Sequence, residues 1–239
     1  MDSRLASLIV LVLCLTLGSS AAVVAVTWDV AADFSETANP NAPWAFGYTS
    51  GATFTAFPSI GDWYAGYHSG GSIYAWYDYF SFPVVGHSHT GSVVTIWGRC
   101  LPLLPSMVAV CPGDAPTGRD VPAVVSFTAP WSAVYTISAQ FTQLDWSSAA
   151  GVAVYTSGGS VNWTGALTGQ GTSASFAQAI SLAEGESLFL EVNKGSDGSN
   201  MYDTIGLTAS LTAIPEPSAI LVLLSGLGSG ALVLRRMRK

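Results

Sequence analysis

Aromatic side chains crowd one short stretch of this chain, between Trp63 and Phe82. Flat rings offer apolar platforms for the faces of sugars, and Tyr and Trp add a polar edge to that platform. Core packing in a strand pair is the simpler interpretation of the same rings, and the sequence leaves both interpretations open. The candidate glycan-binding residues are Trp63, Tyr64, Tyr67, Tyr74 and Trp76.

Residues suited to catalysis do not form a recognisable set. The histidines are His68, His87 and His89. A His-x-His pair on a strand places both rings on one face, but no Cys or carboxylate stands at ligand spacing, so we interpret them as loop histidines. Residues 86–90 approach a nucleophile elbow but lack its second Gly and its helix. Glu184 and Glu186 flank a turn glycine. We therefore expect no enzyme activity and no catalytic residues.

One acidic loop has the composition of a calcium site. Asp197, Asn200 and Asp203 supply oxygen ligands close to one another, although their spacing does not match an EF-hand. A solvated turn before a strand explains the same residues and is the preferred interpretation. We expect no cofactor; the alternative is a structural Ca²⁺ held by Asp197 and Asp203.

The distribution of charge excludes one class of partner. Residues 26–213 contain three basic residues against thirteen acidic residues, which gives a formal charge of −10. A domain with so few Lys and Arg side chains does not neutralise a phosphate backbone, so nucleic acid is not an expected partner. The acidity is interpreted as a source of solubility.

The N-terminal residues 1–25 have the pattern of a secretory signal peptide. Arg4 supplies a positive start, residues 5–17 are almost entirely apolar, and small residues follow up to Ala25. Two small-x-small triplets fit cleavage near Val23 or Val26. The alternative is an uncleaved anchor helix. We expect an exported protein whose mature chain starts near one of these positions.

The C-terminal residues 214–239 combine three features in a fixed order. Pro215, Glu216 and Pro217 are followed by an uncharged segment over residues 218–234, which is near the lower length limit for a membrane-spanning helix. The basic cluster behind it would stay on the cytoplasmic side. It consists of Arg235, Arg236, Arg238 and Lys239.

This ending resembles the PEP-CTERM sorting signal of exopolysaccharide-producing bacteria. Pro215, Glu216 and Pro217 match the motif of that name, and the apolar segment and Arg-rich tail match the rest. The resemblance implies processing by an exosortase, a membrane transpeptidase-like enzyme, after transient anchoring in the inner membrane. It also implies delivery to the cell envelope, cell surface or extracellular matrix. An ordinary tail anchor is the alternative.

Two cysteines remain in the exported part of the chain. Cys14 lies in the signal peptide, which leaves Cys100 and Cys111 eleven positions apart. In an oxidising compartment a remaining pair forms a disulfide more often than two free thiols. We therefore predict a bond between Cys100 and Cys111.

The middle region, residues 26–213, has the composition and patterning of an all-β domain. The clearest strand is residues 133–141, in which apolar and polar residues alternate. Further strands are predicted at 93–97, 124–127, 152–155, 173–180, 187–192 and 204–211. Strands at this spacing predict one antiparallel β-sandwich with one core, most consistent with a jelly roll. A signal helix and a transmembrane helix would flank it.

Short motifs in the middle region resemble a jelly-roll domain of other secreted proteins with this sorting tail. They include Trp44 to Tyr48, Val125 to Pro130, and Tyr202 to Leu207. Similar domains are often likened to carbohydrate-binding modules. Cys111-Pro112-Gly113 stands where that pattern usually has His-Pro-Gly. We expect an exported structural or interaction protein; the alternative is a carbohydrate-binding module that engages exopolysaccharide through surface aromatics.

Overall fold

Alternation of buried and exposed side chains defines the longest strand of the structure, a computed structural model of the chain. In the strand Ala133–Gln143, every second residue from Ala133 is buried, and those between them are exposed or half-buried. This period of two sends one row of side chains into the core and the other to the surface. The strand predicted at residues 133–141 is therefore confirmed and extends two residues further.

The structure describes residues 25–51, 53–79, 82–113, 121–146, 149–199 and 202–213. Residues Val26–Ala213 belong to one compact unit. A 3₁₀ turn occupies Ile96–Gly98. The strands are β1 Val26–Asp29, β2 Trp44–Ser50, β3 Thr53–Ala56, β4 Ser59–Asp62, β5 Ile73–Tyr79, β6 Phe82–Ser88, β7 Val94–Thr95, β8 Pro102–Leu103, β9 Val108–Cys111, β10 Ala123–Thr128, β11 Ala133–Gln143, β12 Ala149–Thr156, β13 Val161–Thr168, β14 Ser173–Leu182, β15 Ser187–Asn193 and β16 Ile205–Ala213.

The strands form two large antiparallel sheets and one small one. The eight-stranded sheet has the order β14-β11-β16-β9-β6-β5-β4, with β1 also paired to β16. The six-stranded sheet has the order β13-β12-β15-β10-β2-β3, and β7 pairs with β8. Val26 lies opposite Ala213 in the β1–β16 ladder, so the unit starts and ends side by side. The predicted all-β antiparallel architecture is confirmed.

The predicted flanking segments cannot be compared with the structure. The signal peptide, apart from Ala25, and the whole of residues 214–239 lie outside the described residues. Pro215, Glu216 and Pro217 and the basic cluster from Arg235 to Lys239 therefore stay predictions. Among the described residues, no helix has the length and apolar character needed to cross a bilayer.

Large side chains from both sheets meet in the main core. Trp44 and Phe127 come from the six-stranded sheet, and Tyr135 and Phe141 come from the eight-stranded sheet; all four are fully buried. Burying a large apolar side chain contributes roughly 1.5–3 kcal/mol. The indole N–H of Trp44 donates a hydrogen bond to Asp33 Oδ2 at 3.1 Å, so this buried donor is paired.

A second apolar cluster covers the outer face of β5, β6 and β9, which corrects the prediction of a single core. Neighbouring residues on these strands divide between the two clusters: Val85 faces the main core, whereas Val84 faces the second cluster. Both faces of these strands are therefore buried. The second apolar cluster consists of Trp63, Ile73, Ala75, Val84, Val94, Ile96, Cys100, Leu103, Ala109, Cys111 and Leu144.

The strand predicted at residues 93–97 is wrong beyond Thr95. β7 covers only Val94 and Thr95, and the 3₁₀ turn follows at once. Trp97 has a φ of 50°, a left-handed conformation that interrupts extended pairing. The apolar pattern of the segment reflects burial of Val94 and Ile96 in the second apolar cluster, not continued strand pairing.

Replacement of Leu103 tests whether the second apolar cluster stabilises the domain. Leu103 is fully buried, whereas its neighbour Leu104 is 41% exposed. Leu103→Ala should lower the free energy of unfolding by about 2–5 kcal/mol because it leaves a cavity. Leu104→Ala is the matched control and should change it by less than about 0.5 kcal/mol. Urea denaturation measures the free energy of unfolding of both variants. An equal loss in the two variants would contradict a stabilising role of the second apolar cluster.

Candidate functional site

The structure separates the five aromatic residues that were predicted to bind glycans. Trp63 is 1% exposed and Trp76 is 6% exposed, so their prediction as surface platforms is corrected. Trp63 belongs to the second apolar cluster, and Trp76 faces the main core, where its indole N–H donates to the carbonyl of Ser35 at 2.7 Å. Tyr74 is half-buried, and its ring stacks on His89 at 4.2 Å between centroids.

Two of the five residues lie on the surface together with a third ring that the sequence did not single out. Tyr67 is 67% exposed and Tyr64 is 36% exposed. The Tyr64 ring meets Tyr67 at 6.2 Å and the half-buried Trp97 at 5.6 Å, edge to face in both pairs. We call Tyr64, Tyr67 and Trp97 the exposed aromatic patch. It brings three aromatic rings together, and their side chains carry two phenol hydroxyls and one indole N–H.

Two residues of this patch have a strained backbone that packing from below keeps in place. Tyr64 has a φ of 51° and Trp97 a φ of 50°, in the left-handed region that bulky residues rarely occupy. Each such residue costs about 1–3 kcal/mol and persists because its surroundings fix it. The buried Trp63 ring is that support, since it contacts Tyr64 at 5.7 Å and Trp97 at 5.8 Å. Strained backbone of this kind concentrates at functional sites.

Burial also alters the chemistry of one phenol in the patch. The pKa of the Tyr64 hydroxyl is raised, first by burial and second by its Coulomb interaction with Cys111. A tyrosine hydroxyl is protonated at neutral pH, where it can both donate and accept a hydrogen bond, and the raised pKa extends that state to higher pH. This is the state that a polyhydroxylated ligand would meet.

A second group of rings, Trp146 and Tyr202, lies beside Arg99. Arg99 follows Trp97 by two residues, and its guanidinium carbon lies 5.8 Å from the ring centroid of Trp146. Trp146 is 50% exposed and meets the half-buried Tyr202 ring at 5.8 Å. Tyr202 has a φ of 70°. Among the described residues, the non-glycine residues with positive φ are therefore Tyr64, Trp97 and Tyr202, and each of them lies beside an exposed aromatic ring. Only the fold brings these sequence-distant residues together.

The three histidines do not form a metal site in the structure. His68 Nε2 donates to the Trp63 carbonyl at 2.6 Å, and His87 Nε2 donates to the Pro105 carbonyl at 2.8 Å. His89 Nδ1 pairs with Glu36 Oε2 at 2.7 Å. Within the described ranges, no group of three or more His, Cys, Asp or Glu side chains is arranged to hold a metal ion. The histidines have structural contacts instead.

The two candidate calcium ligands occupy different environments. Asp197 is exposed and accepts hydrogen bonds from the backbone N–H groups of Ala149 and Ser199. Asp203 is 1% exposed, and neither of its carboxyl oxygens has a hydrogen-bond partner. Burial, followed by the charges of Asp197 and Asp145, raises the pKa of Asp203 to about 8. Asn200 lies outside the described residues, and the calcium site stays a prediction.

A buried polar network joins Asp145 and Thr204 to the two cysteines. Asp145, which the sequence did not single out, is fully buried and accepts hydrogen bonds from its neighbour's backbone N–H and from Thr204 Oγ1. The Cys111 thiol donates to Thr204 Oγ1 at 3.5 Å, and the Cys100 thiol is hydrogen-bonded to Asp145. Asp203 precedes Thr204 in the chain, so the carboxyl groups and thiols share one buried region.

The predicted disulfide is not present in the structure, where Cys100 and Cys111 are free and buried. Burial, followed by Asp145, raises the pKa of Cys100 to about 12, and burial raises the pKa of Cys111 well above its usual value. Disulfide exchange requires a thiolate, so both thiols react slowly while the domain is folded. The bond between Cys100 and Cys111 stays a prediction for the exported protein.

Comparison with known proteins provides no family for this chain. No protein-family profile matches it, and no curated protein matches it. One similar solved structure is a Podospora anserina GH26-CBM35 beta-(1,4)-mannanase, with 15% identity, a TM-score of 0.28, and coverage of 41% of this chain and 20% of that chain. Another is an Arthrobacter globiformis T6 isomalto-dextranase complexed with panose, with 14% identity, a TM-score of 0.28, and coverage of 71% and 23%. Each match spans less than a quarter of the neighbour's length, and at this TM-score it carries no argument.

The pH dependence of stability tests the buried Asp203 carboxyl. Its folded pKa of about 8 exceeds the value of about 4 expected in the unfolded chain, so stability from this group is lost as pH rises between these values. Asp203→Asn should therefore raise the Tm by several degrees at about pH 8.5 and by much less at about pH 4.5. Exposed Asp62 is the control, and Asp62→Asn should leave the Tm unchanged at both pH values.

The same thermal scans, repeated with calcium chloride, address the predicted ion. A bound Ca²⁺ would compensate the Asp203 charge, so the ion should raise the Tm of the parent at high pH and leave Asp203→Asn unchanged. Equal pH profiles for parent and Asp203→Asn, with and without calcium, would show that this carboxyl is neither desolvated nor an ion ligand.

Proposed function

We propose that this chain is an exported glycan-binding protein of the cell envelope or extracellular matrix, which holds polysaccharide on its exposed aromatic patch. One observation carries the proposal: Tyr64 and Trp97 adopt left-handed backbone conformations side by side over a buried Trp63. Strain at two adjacent aromatic residues is costly for a surface with no ligand to bind. Sugar faces are the ligands that suit such rings.

The chemistry of the surroundings favours a sugar over other ligands. The domain is too acidic for a nucleic acid, and the rings of the patch are edged by hydroxyl and N–H groups suited to sugar hydroxyls. We further propose that the two-sheet sandwich is of the jelly-roll type. The role is binding and not catalysis: the neighbouring carboxyls of Asp145 and Asp203 are buried below the surface, out of reach of a polymer.

Localisation in this proposal rests on the sequence of the two ends. The signal-peptide pattern of residues 1–25 supports export, and the resemblance of residues 214–239 to a PEP-CTERM signal supports handling by an exosortase. The apolar segment would hold the precursor in the inner membrane until processing. A structural or interaction role in the matrix follows from the same location, with exopolysaccharide as the partner.

A binding experiment tests the glycan proposal. The purified chain is screened on a glycan array, and the best soluble polysaccharide is then titrated by calorimetry. Tyr67→Ala and Trp97→Ala should each weaken binding at least about tenfold, the loss expected from about 1.4 kcal/mol of ring contact. Val161→Ala removes a side chain that is 65% exposed on β13 and serves as the control.

Two results would count against the proposal. The first is the absence of any polysaccharide binding by a folded chain, with near-UV circular dichroism to show that the fold is intact. The second is binding that both patch variants leave unchanged, because the ligand would then lie elsewhere. A loss confined to Trp146→Ala would move the site to the second group of rings.

The sorting role of the tail has a separate test. Replacing Pro215, Glu216 and Pro217 with alanine should leave the unprocessed precursor in the membrane, because the processing enzyme would lose its motif. A chain that ends at Ala213 should instead be released into the medium with unchanged domain stability, since the last strand is complete there. A blot of membrane and medium fractions measures both outcomes. Normal processing of the alanine variant would show that the motif interpretation is wrong.

A further inference from the structure

The four edges of the two sheets are protected very unequally. β3 and β4 end one side of the sheets and have four residues each, and β4 ends in the exposed Asp62. β13 and β14 end the other side, with eight and ten residues and no charged residue in either strand. Short length and charge are the usual devices that prevent edge strands from pairing with other chains, and β13 and β14 lack both.

β14 is the more exposed of the two long edges. Its register with β11 is continuous from Leu182 to Ser173, without a bulge, and it contains no Pro or Gly. The hydrogen bond from Gln143 N–H to the Thr172 carbonyl fixes which residues face β11. The odd-numbered residues from Ser173 to Ser181 therefore direct their main-chain groups away from β11. Their side chains are exposed and no larger than Ser.

The sequence of β14 is nearly symmetric about Gln178. Ala177 and Ala179 flank Gln178, Phe176 and Ile180 follow outward, and Ser175 and Ser181 come next. In an antiparallel pair of two copies centred on Gln178, the buried Phe176 of each copy would lie opposite the half-buried Ile180 of the other. Aromatic residues opposite β-branched residues stabilise antiparallel pairs, and facing amide side chains can hydrogen-bond to each other.

The distribution of charge favours a second copy at this edge. The domain carries a formal charge of −10, so most approaches of two copies bring acidic groups together. β14, β11 and β16 are adjacent in the sheet and contain no charged residue. A two-fold arrangement through β14 pairs the free main-chain groups of both β14 edges with each other, and it leaves no β14 edge to which a third copy could add.

We propose that β14 is a self-association edge, at which two copies of this chain pair antiparallel about Gln178 and join their eight-stranded sheets. An overlap from Ser175 to Ser181 would add about eight main-chain hydrogen bonds between the copies, because four residues of each copy direct an N–H group to the other. This association is independent of glycan binding, and it would double the number of patches on each particle.

A cysteine at the centre of symmetry gives a direct test. Under mild oxidation, the full chain with Gln178→Cys, in a non-ionic detergent that keeps the predicted tail dispersed, should form a covalent homodimer, because each new thiol faces its own copy. Ser173→Cys is also exposed on β14 but would lie roughly 33 Å from its counterpart, at about 3.3 Å per residue. It should remain monomeric on a non-reducing gel. Cys100 and Cys111 are buried, and all three native cysteines are present in both variants, so they do not account for a difference between them.

An added charge gives a second test that does not depend on disulfide cross-linking. Ala177→Lys places a cation on the edge, whereas Ser138→Lys places one at the opposing position on β11, one strand further in. Sedimentation at about 100 µM should show dimers of the parent and of Ser138→Lys and at least a tenfold weaker association of Ala177→Lys. Monomers for the parent at this concentration, or equal cross-linking of Gln178→Cys and Ser173→Cys, would overturn the proposal.

Discussion

Burial of the outer face of β5, β6 and β9 is the constraint on which the exposed aromatic patch depends. A strand in a sandwich normally leaves one face to solvent, but here Ile73, Val84 and Ala109 face a second layer of apolar side chains. Trp63 belongs to that layer and supports Tyr64 and Trp97 from below. The rings of the patch are therefore fixed by packing beneath them, so a ligand would not have to order them on binding.

The two proposed interaction sites lie at different ends of the eight-stranded sheet. The patch rests on the side of β5 and β6, near the end that β4 closes, and the self-association edge is β14 at the other end. Neither site would obstruct the other. Two weak sugar sites on one particle raise the apparent affinity for a repeating polymer, because the second contact occurs at high effective concentration. If both proposals hold, a short, sugar-sized patch would be sufficient to retain the polymer.

How much of this could be predicted from sequence depended on the surroundings of each strand. β11 and β14 have one face in the core and one in solvent, so apolar and polar residues alternate in their sequences and predict strands. β5, β6 and β9 are covered on both faces, and their alternation is lost. The aromatic run predicted a site near Tyr64 and Tyr67 but did not distinguish them from Trp63, because burial depends on residues that are distant in sequence. Trp97 and Trp146 had no local signal, since the fold alone places them beside Tyr64 and Arg99.

The pairing of the first and last strands has a mechanical consequence. β16 lies between β11 on one side and β1 and β9 on the other, and Ala213 at its end pairs with Val26. A force applied at Ala213 along the strand would load these ladders in shear, so that many hydrogen bonds resist together and none opens first. The Oγ1–Oγ1 hydrogen bond between Thr27 and Thr212, at 2.9 Å, joins the same two strands at that end. If the domain were tethered through Ala213 while it held a polymer, as proposed above, the pull would reach the β1, β9 and β11 ladders together.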